Sequence, residues 1–215
     1  MYIFDIDGTL LYTIDTIRYF LNKTLEDFCL GELPKERVEE FVGNGHKVLV
    51  DKALSYLKVG RGEDFNKKVL DAYNLAYASD PAYLTRPYEG IREVLDIFKK
   101  RGEILACFSN KNDELCQKVI KENFGQDFFD MVLGYRDDYE RKPAPDGINI
   151  IKERLGVSYS DIIYFGDSEV DIACGKNAGV FTVACSWGFR DRDLLMSKNP
   201  DLIIDSPEEM NIRRA

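Results

Sequence analysis

Met1-Tyr-Ile-Phe-Asp-Ile-Asp-Gly-Thr-Leu10 opens the chain with a short apolar run that ends in two carboxylates, Asp5 and Asp7, and a glycine. Tyr2 to Ile6 have the β-branched and aromatic bias of a buried strand, and Gly8 then lets the backbone turn sharply. Residues i and i+2 of a strand point to the same side, so Asp5 and Asp7 should emerge together at the strand's carboxyl end. Carboxylates held that close repel each other, and unless a cation lies between them one tends to stay protonated. A hard divalent cation bound through oxygen relieves the repulsion, and Mg²⁺ is the usual choice where phosphate is also present. The plain alternative is an Asp-rich surface turn, and the rest of the chain has to choose between the two.

At 215 residues the chain is long enough for one large domain, or for one domain carrying a modest insertion. Hydrophobic content of 45% and charged content of 31% are those of an ordinary globular protein. A formal net charge of -9 argues against nucleic acid or an anionic membrane as partner. It leaves room for a small anionic substrate, because a few cations placed in a cleft outweigh a distant acidic surface. Five scattered cysteines and one histidine give neither a disulfide framework nor zinc-ligand spacing. With no basic leader and no apolar run of membrane-spanning length, the expected compartment is a reducing cytoplasm.

From Thr13 to about Ala78 the pattern is helical, and four helices are the economical reading: Ile14 to Cys29, Pro34 to Val42, Gly45 to Leu57 and Glu63 to Ala78. After a linker from Ser79 to Tyr88 the texture changes to alternating strand and helix. Strands are expected at Glu103 to Phe108, Met131 to Leu133, Ile162 to Phe165, Val180 to Ala184 and Leu202 to Ile204. Helices are expected at Asp113 to Asn123, Asp146 to Leu155 and Glu169 to Ala178. That alternation predicts an α/β protein whose parallel sheet is covered by helices on both faces, with a small helical bundle inserted after the first strand.

Ligands of such sheets bind beyond the carboxyl ends of the strands, and polar residues follow the strands here. Ser109-Asn110-Lys111 offers a hydroxyl and unpaired backbone N–H groups, although Asn112 or Asp113 capping the next helix would explain the stretch equally well. Lys142, just before a helix, could reach the same point as a fixed cation. Gly166-Asp167-Ser-Glu-Val-Asp171 puts one carboxylate after a strand and a second one helical turn later, both able to face a cation near Asp5. N-capping by Asp167 is the alternative for that piece. The joint occurrence of four such pieces, each after a strand, favours a site.

Asp5/Asp7, Ser109, Lys142 and Gly166-Asp167…Asp171 together resemble the four motifs of the haloacid dehalogenase-like hydrolases in their usual order. The resemblance implies a Rossmann-like core over 1–11 and 87–215 and a helical cap over 12–86. It implies Asp5 as nucleophile, Asp7 as acid/base, Ser109, Asn110 and Lys142 as phosphate-binding residues, and Mg²⁺ held by Asp5, the Asp7 backbone carbonyl and Asp167, with Asp171 acting through water or as a supporting partner. A carboxylate at position 7 points to phosphate transfer within that family.

Phe41-Val-Gly43-Asn-Gly45-His46-Lys47 resembles a cap segment of the phosphoglycolate phosphatases, and Pro87-Tyr-Glu-Gly90 and Ser186-Trp187-Gly188-Phe are further stretches similar to that subgroup outside the cap. Gly43, Asn44, Gly45, His46 and Lys47 are therefore the specificity candidates, with helix-start N–H groups offered to a substrate carboxylate. The plain alternative is that the two glycines end one helix and begin the next, leaving His46 exposed. Tyr12-Thr13 stands where the subgroup often has Asp-Ser; Thr13 can still cap a helix. The expected activity is Mg²⁺-dependent hydrolysis of a small phosphorylated metabolite, 2-phosphoglycolate first. The rivals are a nucleotide or pyrophosphate phosphatase, a sugar-phosphate mutase, and a non-enzymatic binding protein on the same fold. Nothing in the residues speaks to oligomeric state.

Overall fold

A computed structural model describes residues 1–212, so the last three residues of the segment 87–215 lie outside the described range. Six parallel strands form one sheet: β1 (Tyr2–Phe4), β4 (Leu105–Asn112), β5 (Met131–Tyr135), β6 (Ile163–Gly166), β7 (Phe181–Cys185) and β8 (Leu202–Ile204). Their order is β5-β4-β1-β6-β7-β8, so the first strand is central and the connections depart from it in both directions. Strand alternation decides which face each side chain fills. Tyr2 and Phe4 pack with Phe98, Val119, Phe129 and Phe165 on one side, whereas Ile3 joins Phe108, Ile148, Ile151 and Tyr164 on the other. Tyr2 stacks on Phe98 with ring centroids 4.2 Å apart. Burial on both faces is what a parallel sheet requires, and helices α5 (Ile91–Lys100), α6 (Asp113–Phe124), α7 (Asp146–Leu155) and α8 (Glu169–Ala178) provide the cover.

Between β1 and β4 the chain passes through β2 (Leu11–Tyr12) into four helices, α1 (Ile14–Asp27), α2 (Lys35–Phe41), α3 (His46–Tyr56) and α4 (Glu63–Ser79), and returns through β3 (Arg86–Pro87). β2 and β3 pair antiparallel, Leu11 with Pro87 and Tyr12 with Arg86. The helices share an apolar cluster of their own, including Ile17, Leu21, Val50, Leu54, Val69 and Tyr73, which Leu115 and Phe189 touch from the sheet side.

Several local expectations are corrected. Pro34 precedes α2 as its N-cap instead of being its first residue. Thr13 occupies the N-cap of α1, but its hydroxyl makes no cap bond and is buried without a partner among the described residues. β4 starts at Leu105 and runs past Ser109 to Asn112, with a register shift against β5 after Phe108. Helix α5, the ribbon β2–β3 and the short helix α9 (Arg192–Ser197) go beyond the expected set. Four cysteines are buried, whereas Cys29 is exposed; all five are free. Among the described residues no helix is long and apolar enough to cross a membrane.

Candidate active site

At the carboxyl end of β1 the backbone N–H of Asp5 bonds the Phe165 carbonyl at 2.8 Å, tying β1 to β6 beside the first carboxylate. Gly8, at φ +91°, then turns the chain back, with Gly8 N donating to Leu11 O at 2.9 Å. A Cβ at Gly8 would also meet the Asp167 carboxylate at 2.3 Å, so the close approach of that carboxylate requires glycine.

Four buried acids and bases interlock here. Lys142 Nζ donates to Asp5 Oδ1 and to Asp171 Oδ1, both at 2.7 Å, and to the Phe108 carbonyl at 3.2 Å. Burial raises the pKa of Asp5 to about 7; Lys142 opposes the rise, and the charges of Asp171 and Asp7 add to it. Asp167 is likewise pushed up, by burial first and then by Asp171 and Asp5. Asp171 behaves differently. Burial works against its charge, but Lys142 and hydrogen bonds from Ser168 and Tyr164 hold it below the ordinary carboxylate range.

Ligand oxygens of Asp5, Asp167 and Asp171 lie within 4.8 Å of one another, close enough for one metal ion. The donor chemistry fits a hard divalent cation: two of the three carboxylates are destabilised as anions by their surroundings, and a cation between them reverses that. Asp171 fits less directly, because Tyr164 and Lys142 occupy its Oδ1 and Ser168 its Oδ2. The N-cap of α8 is Ser168, not Asp167, and Asp171 completes a capping box with it. Asp167 is thereby left for other work: its Oδ1 accepts from Thr9 Oγ1 at 3.2 Å and its Oδ2 from Phe189 N at 2.8 Å.

Ser109, Asn110 and Lys111 are buried at the end of β4. The Asn110 side chain is spent on the protein. It donates to the carbonyls of Gly43 and Lys142 and accepts from Lys142 N, joining the helical block to the loop that carries the lysine. Lys111 extends the candidate set, since its Nζ lies 2.5 Å from Asp7 Oδ1 and it is as buried as Ser109. The signal was present: in an extended segment position 111 points to the same side as position 109.

These residues line a cavity of about 60 Å³ together with Gly43, Gly45 and His46 from the helical block. That volume holds a few water molecules. Gly45 has φ +83°, and a Cβ there would come within 2.1 Å of Arg141 Nη1, so the glycine allows a core arginine to approach the start of α3. Asn44 and Lys47 stand outside the cavity lining; Lys47 is exposed and paired with Asp51 at 2.7 Å. His46 is partly buried, edge-on to Tyr73 and Tyr77, with Nδ1 2.9 Å from the Asn74 side-chain oxygen. Burial lowers its pKa to about 4, against the small opposing effect of Asn74, so the ring is neutral.

The sequence reading also passed over Tyr73 and Arg190, which line the same cavity. Arg190 bonds Glu169 at 2.9 Å and reaches the carbonyls of Glu39 and Val42 at 2.6 and 2.9 Å, gripping the end of α2. No local pattern marks either residue, because each acts across a long separation in sequence.

Residues 2–185 match the profile of the family described as haloacid dehalogenase-like hydrolase. A phosphoglycolate phosphatase of Aquifex aeolicus is 30% identical over 208 residues, 97% of this chain and 93% of that protein. One from Neisseria meningitidis is 31% identical over 96% of this chain and 90% of its own length. Among solved structures, a protein of Lactobacillus delbrueckii subsp. bulgaricus superposes with a TM-score of 0.90 at 30% identity, covering 97% of this chain and 95% of its own. CbbY from Rhodobacter sphaeroides, solved in complex with xylulose-(1,5)bisphosphate, has a TM-score of 0.82 at 20% identity over 98% and 95% of the two chains, a likeness of fold alone.

Proposed function

Because the chain belongs to the haloacid dehalogenase-like hydrolases, we propose that it is a Mg²⁺-dependent phosphatase that hydrolyses a small phosphomonoester through an aspartyl phosphate, with 2-phosphoglycolate as the substrate. The observation that carries this reading is the meeting of Asp5, Asp7, Ser109, Lys111, Lys142 and Asp167 in one small cavity roofed by the helical block. The relatives named phosphoglycolate phosphatase support the choice of substrate.

Lys142 holds Asp5 by Oδ1, and no protein hydrogen bond reaches Oδ2 among the described residues. Oδ2 of Asp5 attacks phosphorus in line with the leaving oxygen, forming the acyl phosphate as the P–O bond to the alkoxide breaks. Asp7 delivers a proton to that alkoxide and then, as carboxylate, takes one from the water that cleaves the acyl phosphate, which returns Asp5 and inorganic phosphate. Ser109 and the Lys142 ammonium orient the equatorial phosphoryl oxygens. A divalent cation held by Asp5, the Asp7 carbonyl and Asp167 would supply positive charge beside the nucleophile and the phosphoryl oxygens, with Asp171 fixing Lys142 and the start of α8. The free cysteines and the acidic surface accord with a reducing cytoplasm.

The test is phosphate release with Mg²⁺ across 2-phosphoglycolate, nucleotides, pyrophosphate and sugar phosphates, with Asp5→Asn as control. Preference for 2-phosphoglycolate, abolished at least a thousandfold by the substitution, is the expected result. Turnover that survives Asp5→Asn would overturn the mechanism, and a clear preference for another ester would overturn the substrate.

A further inference from the structure

Tyr73 stands on α4, lines the cavity, and is fully buried. Its hydroxyl has no hydrogen-bond partner among the described residues. A buried phenol normally finds one, and an exception at the wall of a binding cavity points to a partner that arrives with the ligand. The surroundings narrow the chemistry. The His46 ring lies edge-on to Tyr73 with centroids 4.9 Å apart, and its Nδ1 is already engaged with Asn74. His46 is neutral, so it offers no cation to a second anionic group. Lys111, paired with Asp7, has its Nζ 5.4 Å from the Tyr77 ring, and Tyr77 packs against Tyr73 at 5.8 Å. Lys142 stands at the phosphoryl end, bonded to Asp5 and Asp171. A phenolic O–H without a partner, on the helical-block side of a cavity whose lining also includes Ile17, Val42, Leu49 and Arg190, suits a compact anionic acceptor at the end of the ligand remote from phosphorus.

We propose that the Tyr73 hydroxyl is the specificity-determining donor that reads the carboxylate of a short phosphorylated acid. The inference rests on the phosphatase reading for the placement of the phosphoryl group at Asp5. It adds a residue of α4 to the recognition surface, beyond the Gly43 to Lys47 segment. Tyr73→Phe removes one oxygen and keeps the ring. Because that oxygen bonds nothing in the free protein, the variant should melt at the same temperature or higher.

The experiment uses Asp5→Asn protein with Mg²⁺, so that binding is measured without turnover, and compares 2-phosphoglycolate with ethyl phosphate, which has a methyl group in place of the carboxylate. Adding Tyr73→Phe should weaken calorimetric binding of 2-phosphoglycolate about tenfold or more, the scale of a hydrogen bond to a charged group, and change ethyl phosphate less than about twofold. An equal change for both ligands, or none, overturns the proposal. So does a Tyr73-containing protein that binds 2-phosphoglycolate no tighter than ethyl phosphate. Asp5-dependent phosphate release from 2-phosphoglycolate is measured alongside. Its absence removes the phosphatase reading, whereas its presence without discrimination by Tyr73 removes only the present inference.

Discussion

His46 is the only imidazole in the chain, and its setting between two tyrosine rings makes its protonation state directly measurable. Its folded pKa of about 4 lies below the unfolded value of about 6.5, so the folded state prefers the neutral ring. The stability this contributes is present above pH 6.5 and is lost as pH falls toward 4, on the order of 2–3 kcal/mol in all. The single imidazole resonance in an NMR titration should therefore have its midpoint near 4, and a midpoint near 6.5 would show that the ring is solvated. A second residue-scale expectation concerns Gly188, where a Cβ would lie 2.4 Å from Asp167 Oδ2. Gly188→Ala should displace that carboxylate and weaken Mg²⁺ binding about tenfold or more by calorimetry, the usual effect of disturbing a ligand's support. Unchanged affinity would mean that Asp167 is not a ligand. At this scale the meeting of Asp5, Asp7, Asp167 and Asp171 in one cavity was readable from their places after strands, although β1 ends at Phe4 and Asp167 precedes the N-cap of α8, so neither pair lies within the element whose period suggested it. The division of labour between Asp167 and Asp171 was not readable. It depends on Ser168 taking the cap and on Lys142 arriving from 29 residues away in the chain.

Arg190 links two helices, because its guanidinium bonds Glu169 at the start of α8 and two carbonyls at the end of α2, while the neighbouring Phe189 N–H bonds Asp167. Arg190→Ala removes the grip on α2 without touching a carboxylate of the metal cluster. Expected is a rise in KM for 2-phosphoglycolate of about fivefold to fiftyfold with a smaller change in kcat, the loss of a few charge-assisted hydrogen bonds that hold the bound arrangement. A fall in kcat alone would place Arg190 in the chemical step. The elements themselves were legible in proportion to their local pattern. Helices α7 and α8 and strand β8 have the expected bounds, each helix ending at a glycine in the left-handed region. Helix α5 has Ile91, Val94, Leu95 and Phe98 at three- and four-residue spacing, but it follows directly on the proline-containing return segment and was hidden by it. The two-residue strands β2 and β3 have no local signal at all, because each exists only by pairing with the other across some 75 residues of sequence.

At the scale of the whole molecule, the helical block has its own apolar cluster and meets the sheet part through Leu115 and Phe189 and through polar ties at the cavity. On the proposed reading, the block is expected to move relative to the sheet, with the ties making and breaking as substrate enters and product leaves. Hydrogen exchange should report this: Mg²⁺ with inorganic phosphate should slow exchange at 39–45 and 187–190 relative to metal-free protein, and leave the centre of α7 unchanged. Equal exchange in both states would mean that the block does not respond to the site.

The ribbon of β2 and β3 brings the start and the end of the helical block to one place, Leu11 beside Pro87. A segment whose ends already meet can be exchanged whole, since closing a different bundle across the same short gap adds little chain entropy. On the proposed reading, selectivity and chemistry reside on separable pieces of one polypeptide: a new roof grafted between positions 12 and 86 would leave β1 and the aspartates that follow it in place, so that substrate choice could be re-engineered without rebuilding the floor of the site.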